Sequence, residues 1–374
     1  MKKKLTVVII FLIVLVFPMV SWPIVSIFDA TTVEENRAKA PFPEFGDDVF
    51  VQFDDYFADR APYRNMLIKL YNNVARHLGI SYEKLLTFFN IPYYTVINNA
   101  IIGQENWLFY TGDNSIAYYK GTNLPTDEEL QGYVERAEKV NEYFKALGKE
   151  FVIFIAPNKE QIYSEYMPRG IRVENEIKRA DIIYSYFKEH SDVTVLYPKD
   201  ELLEAKQTYV TYRKQDTHWN EFGGYIGARC LLNALQIPLG DVEISETRYL
   251  GGDLADMAVI EPLEYTSYDV SYRSEITLEY LEKSLNEYRL VSSNKNGKSL
   301  LLLGDSFREC MTEVLAKEFE NSILNHRSTL TAESNYAAEF EAATTVIFQA
   351  VERYEPDIFS PYGLLQKFIN MYGL

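Results

Sequence analysis

Cysteine is scarce, and the two that occur, Cys230 and Cys310, are too few for a disulfide framework or a Cys-rich zinc site. Each falls on the apolar side of a predicted helix, so two buried thiols are expected rather than a bridge. Histidine is nearly as rare, with four in 374 residues. Basic charge is deficient: 37 Lys and Arg against 54 Asp and Glu leave a formal charge of −17, a poor surface for gripping phosphate backbones, so nucleic acid is excluded as a partner. Repeats and low-complexity tracts are absent, which excludes solenoids and extended disorder. What is present is an ordinary globular balance, 47% hydrophobic and 24% charged, with tyrosine and phenylalanine enough to fill a large core.

One long apolar run stands apart. Lys2, Lys3 and Lys4 precede an uncharged stretch from Leu5 to Phe28, long enough as a helix to exceed a bilayer's hydrocarbon core. Trp22 suits the interface and Pro18 and Pro23 mark the outer margin, while the lysines stay on the cytoplasmic side. No small-x-small cleavage site precedes Asp29. The expectation is an uncleaved single-pass anchor, residues 1–28, with the remaining chain extracytoplasmic.

Residues 29–100 read as a stalk or small helical subdomain. Asp54, Asp55, Asp59 and Arg60 within it fit a solvated or salt-bridged helix face. Residues 101–374 read as the main domain, opening with a hairpin around Gly103 to Asn106. Thr126 and Glu129 form a capping box before a helix that Gly148 ends. The apolar runs 151–156, 193–196, 300–303 and 344–351 alternate with helical patterns at 177–190 and 307–319. Buried strands alternating with helices predict a three-layer α/β/α sandwich with a mainly parallel sheet. A Tyr- and Glu-rich stretch, about 244–296, interrupts the rhythm as an insertion over one end of the sheet.

Ser306 stands where the 300–303 strand turns into a helix, the position at which open α/β sheets bind ligands. Its hydroxyl would face the crevice and its N–H a positive helix end. Ser306 and Glu309 also make a capping box, so Ser306 taken alone is equally a helix cap. His218, in QDTHW, follows Asp216 by two positions, a spacing at which a carboxylate can hold Nδ1 and leave Nε2 for a serine. A metal reading of the pair lacks further ligands at suitable spacing. His77, His190 and His326 receive no role.

GDSF (Gly304 to Phe307) with DTHW (Asp216 to Trp219), in that order, resembles the SGNH-hydrolase-like domain of the alginate O-acetyltransferase and DHHW group of exported proteins. ENRAKAPFP (Glu35 to Pro43), WLFY (Trp107 to Tyr110), APNK (Ala156 to Lys159) and GGDLADM (Gly251 to Met257) resemble it too. Thr217 replaces the first histidine of DHHW, and the Asp-x-His spacing survives. The resemblance implies a triad of Ser306, His218 and Asp216 in permuted order. It also implies acyl transfer, chiefly of acetyl, to an exported or cell-surface polysaccharide without a cofactor, and a multipass membrane-bound O-acyltransferase as acetyl supplier. Asn158 is a candidate oxyanion donor, and Lys159 and Arg308 are candidates to hold an acidic group of substrate. A carbohydrate esterase with the same triad, or a non-catalytic surface scaffold or glycan-binding module in which Ser306 is only a cap, are the alternatives.

Overall fold

The computed structural model describes residues 39–374, apart from 45–47, 61–63, 90, 273–274 and 332–335. The expected anchor lies outside the described residues, among which no helix is long and apolar enough to cross a membrane.

Twelve strands are described: β1 (Thr95–Ile97), β2 (Ala100–Ile102), β3 (Leu108–Tyr110), β4 (Glu150–Ala156), β5 (Thr194–Leu196), β6 (Val242–Leu250), β7 (Glu264–Tyr272), β8 (Leu278–Lys283), β9 (Tyr288–Ser292), β10 (Ser299–Gly304), β11 (Asn321–His326) and β12 (Thr345–Val351). The central sheet runs β5-β4-β12-β10-β11-β9-β8. Its first five strands are parallel, and the β8–β9 hairpin joins antiparallel through β9 to β11. Residues 244–296 therefore supply two sheet strands as well as most of the separate β6–β7 ribbon. The hairpin covers an edge of β11 whose N–H and C=O groups would otherwise be unpaired.

The apolar runs are strands because both faces are covered. Val152, Phe154 and Ala156 of β4 and Leu300 and Leu302 of β10 enter one buried cluster with helix Glu221–Ala234. Phe151, Ile153, Ile155, Leu301 and Leu303 enter the other, with helices Asp127–Ala146, Arg179–His190 and Leu364–Tyr372. Each such Leu or Phe, removed from water, stabilises the fold by about 1.5–3 kcal/mol. The Thr126 and Glu129 capping box closes in both directions, at 3.2 and 2.8 Å. β4, β12 and β10 are parallel neighbours, so the turns that leave them, at 157–159, 352–353 and 305–306, meet along one carboxyl edge.

Candidate active site

The turn that leaves β10 decides whether Ser306 is a cap or something else. The segment begins as a tight helix, Ser306–Met311, and continues as an α-helix, Thr312–Glu318. The cap is Asp305, whose Oδ1 accepts from Phe307 N at 2.9 Å. The same carboxylate accepts from Gln349 Nε2 (2.9 Å) and Val351 N (2.6 Å) on β12. Gly304 admits this arrangement, since a Cβ there would overlap Gln349 Oε1. With capping done one residue earlier, the Ser306 hydroxyl is available, and its Oγ lies 2.6 Å from His218 Nε2.

His218 reaches that hydroxyl from a tight loop, 213–218, closed by the Tyr212 and Trp219 bridge and an Arg213 N–H bond to His218 O. Trp219 is buried and donates Nε1 to Phe307 O at 3.0 Å, tying the histidine loop to the serine helix. Asp216 Oδ1 takes both His218 N (2.9 Å) and Nδ1 (2.7 Å). An ionised carboxylate offers no proton, so Nδ1 carries the hydrogen and Nε2 is left to accept from Ser306.

A second carboxylate, which sequence reasoning missed, stands behind this pair. Asp253 Oδ2 is 3.5 Å from Nδ1 and accepts from Thr217 Oγ1 (2.6 Å), while Oδ1 accepts from Thr217 N (2.7 Å). Asp253 N donates in turn to Asp216 Oδ2 at 3.2 Å. Gly252 makes the approach feasible: at φ +140° and with Asp216 Cβ 2.6 Å from where its own Cβ would stand, only glycine fits. The one sequence signal was a carboxylate directly after two glycines.

The charges respond. Burial pulls the Asp216 carboxyl up, but the hydrogen bonds and charge of His218, with Arg213 behind, hold it well below the usual carboxylate range. Burial pulls the His218 imidazole down, and the bond to Asp216 with the charges of Asp216 and Asp253 lifts it above its ordinary value. Burial and the repulsion of Asp216 raise Asp253. Asp216, His218 and Asp253 could in principle chelate a cation. Here, however, both imidazole nitrogens already have hydrogen-bond partners within the chain.

The remaining candidates fall in different places. Lys159 is fully buried, and its ammonium donates to the carbonyls of Asp216 (2.6 Å), Arg213 (3.2 Å) and Lys214 (3.3 Å). Burial lowers its pKa to about 7. It thus holds the histidine loop from beneath. Asn158 is also buried; its Oδ1 accepts from Arg353 Nη1 (3.2 Å), and its Nδ2 has no partner among the described residues. Arg353, likewise unforeseen, lies over the rings of Tyr110 and Phe307. Arg308 is not brought to the hydroxyl and imidazole: it is fully buried, its guanidinium donating to the carbonyls of Leu324, Asp305 and Leu285. Cys230 and Cys310 are free thiols, each raised to about 12 by burial.

A three-layer sandwich with serine, imidazole and carboxylate in hydrogen-bonded series at the carboxyl edge of its sheet defines an SGNH-hydrolase-like domain. Residues 100–339 match the family described as SGNH hydrolase-like domain, acetyltransferase AlgX, and the chain belongs to that family. It is 24% identical over 175 residues to the probable alginate O-acetylase AlgJ of Pseudomonas putida, covering 44% of this chain and 43% of that protein. The AlgJ of Pseudomonas fluorescens is 25% identical over 179 residues, covering 44% and 42%. The chain thus spans less than half the length of the curated relatives it matches. A DHHW family protein from Eubacterium siraeum shares the fold, with a TM-score of 0.50, 16% identity, and coverage of 70% of this chain and 93% of that one.

Proposed function

We propose that this protein is an O-acetyltransferase that modifies an exported or cell-surface polysaccharide through an acyl-enzyme on Ser306. The observation that carries the reading is the continuous relay from Ser306 Oγ through the His218 ring to Asp216, at 2.6 and 2.7 Å. Ser306 Oγ attacks the acyl carbonyl as its proton passes to His218 Nε2, and Asp216 stabilises the imidazolium at Nδ1. The oxyanion is met by the Ser306 N–H, which has no acceptor among the described residues, and by Asn158 Nδ2. The carbon–oxygen bond to the donor's alcohol then breaks, and Nε2 returns the proton to that alcohol. A sugar hydroxyl repeats the sequence in reverse: its proton goes to Nε2, its oxygen takes the acetyl group, and Ser306 recovers its proton.

The family likeness favours a sugar acceptor over water. It also favours a multipass membrane-bound O-acyltransferase as acetyl supplier. The uncharged run Leu5–Phe28 behind three lysines supports a single-pass anchor with this domain on the extracytoplasmic side. Full-length protein with an aryl acetate donor and an oligosaccharide should yield acetylated sugar, and Ser306→Ala should abolish both product and covalent labelling by a serine-directed phosphonate. Release of acetate alone in excess acceptor would make the protein an esterase. Unchanged polymer acetylation by Ser306→Ala would leave it a scaffold.

A further inference from the structure

The 25-residue helix Arg64–Phe88 is amphipathic the wrong way round for a domain of this kind. Its buried positions are Asn72, Arg76 and Gly79. Asn72 Nδ2 donates to Ala258 O (2.7 Å) and Arg76 Nη1 to Glu261 O (3.3 Å), so the polar face is the one that docks. The opposite face presents Leu67, Leu70, Val74, Leu78, Leu85 and Phe88, which are 49–83% exposed. At 100° per residue these side chains fall in one stripe that runs about 32 Å along the helix. Tyr71 and Tyr82, also more than half exposed, lie along one margin of it. An apolar surface of this length on a soluble face requires a cover.

We infer that the cover is the membrane surface: helix Arg64–Phe88 lies flat on the bilayer, its leucines among the acyl chains and its polar face carrying the catalytic domain. Three observations favour lipid. The stripe carries no charged residue: Arg76 is buried against Glu261 O, Lys69 pairs with Glu261 at 3.1 Å and Arg64 with Asp59 at 3.8 Å, in a chain whose overall charge is −17. An uncharged apolar stripe with tyrosines at its margin is the pattern of a helix that lies in the membrane interface. Its buried asparagine and arginine, and the absence of any membrane-crossing helix among the described residues, fit a helix that lies on the bilayer rather than spans it. Finally, only residues 29–63 separate it from Phe28, the end of the uncharged run, so the helix starts within tethered reach of the surface.

The contact also leads toward the active site. The helix packs on β1 and β2, where Ala75 and Ile80 join a cluster that includes Ile97, Ile102, Leu108 and Leu254, and Asn72 reaches Ala258 O at the end of helix Asp253–Ala258. That short helix begins with Asp253, the carboxylate beside His218. One short helix thus links the membrane-facing helix, at Ala258, to the relay, at Asp253.

The inference shares with the proposed function its reading of Leu5–Phe28 as membrane-embedded, but it is read by position and not by acetyl transfer. Full-length Val74→Cys and Leu78→Cys proteins, reconstituted in phosphatidylcholine and phosphatidylglycerol vesicles, would carry an environment-sensitive fluorophore; the native thiols, raised to about 12, label slowly at neutral pH. Lys188→Cys on helix Arg179–His190 is the control. The result expected is a blue-shifted emission at 74 and 78, quenched by lipid-borne nitroxide and independent of protein dilution, with label 188 unaffected. Leu70→Gln with Leu78→Gln, which leave the buried face alone, should weaken quenching of the label at 74. Labels that stay in water would overturn the inference. So would shielding that disappears on dilution (a second copy), or shielding that lipid nitroxide cannot quench (the chain's own N-terminal segment). Acetyl transfer by the same preparations is scored separately, so loss of one reading leaves the other standing.

Discussion

Replacing Asp216 by Asn keeps the shape of the loop and removes one charge, and the consequence depends on the carboxylate behind it. At an effective dielectric of about 20, a unit negative charge 2.7 Å from the imidazolium is worth about 6 kcal/mol and one at 3.5 Å about 5 kcal/mol. Asp253 thus retains most of the attraction once Asp216 is neutral, and losing Asp216 also removes one cause of its raised pKa, so it ionises more readily. What Asp253 cannot restore is the direct bond that fixes the Nδ1–H tautomer; an Asn side chain can donate to Nδ1 and leave Nε2 protonated toward Ser306. Loss of tautomer control and charge together amounts to about 10⁴ in serine hydrolases. With Asp253 in place Asp216→Asn should lose about 10³ in kcat/KM, Asp253→Asn alone no more than about threefold, and the double variant about 10⁴. The double loss therefore exceeds the product of the singles. Release of nitrophenol from nitrophenyl acetate, followed at one pH with folding checked by circular dichroism, measures all three. If Asp253→Asn alone were as damaging as Asp216→Asn, or if Asp216→Asn retained full activity, the assignment of the two carboxylates would be wrong.

A base must be neutral to accept a proton, so kcat/KM should climb with pH as the His218 imidazolium titrates. Its pKa is raised, placing the half-rise above 6.5; in Asp216→Asn, where burial is opposed only by Asp253, the half-rise should move down. A wild-type half-rise below 6.5 contradicts the geometry. Asp305→Ala strips the acceptor from Phe307 N, Val351 N and Gln349 Nε2 and should lower stability by about 3 kcal/mol in urea unfolding, whereas Ser306→Ala, which removes no cap, should stay within about 1 kcal/mol. Equal losses would return Ser306 to the role of a cap.

The strands were legible because burial on both faces leaves an uninterrupted apolar run, and β4, β10 and β12 lie within a residue of the runs that announce them. The hairpin of β2 and β3 and the capped helix Asp127–Ala146 were legible for a similar reason: their determinants are neighbours in the chain. β8 and β9 were not, since their half-exposed alternation looks the same whether a hairpin stands apart or extends a sheet.

At the site, the chain itself determined two local geometries, a serine at a strand-to-helix turn and an imidazole two residues from a carboxylate. Both depend on near-neighbour backbone physics. Tertiary structure decided the rest. It made Asp305 rather than Ser306 the cap, through β12 partners more than 40 residues away. It brought Asp253 to His218 across a glycine that a φ of +140° and close packing both require, and turned Lys159 and Arg308 inward to backbone carbonyls. It also left the leucines of helix Arg64–Phe88 facing out and its asparagine and arginine facing in. Periodicity reveals that a helix has two faces; which of them meets the domain depends on the carbonyls waiting at Ala258 and Glu261.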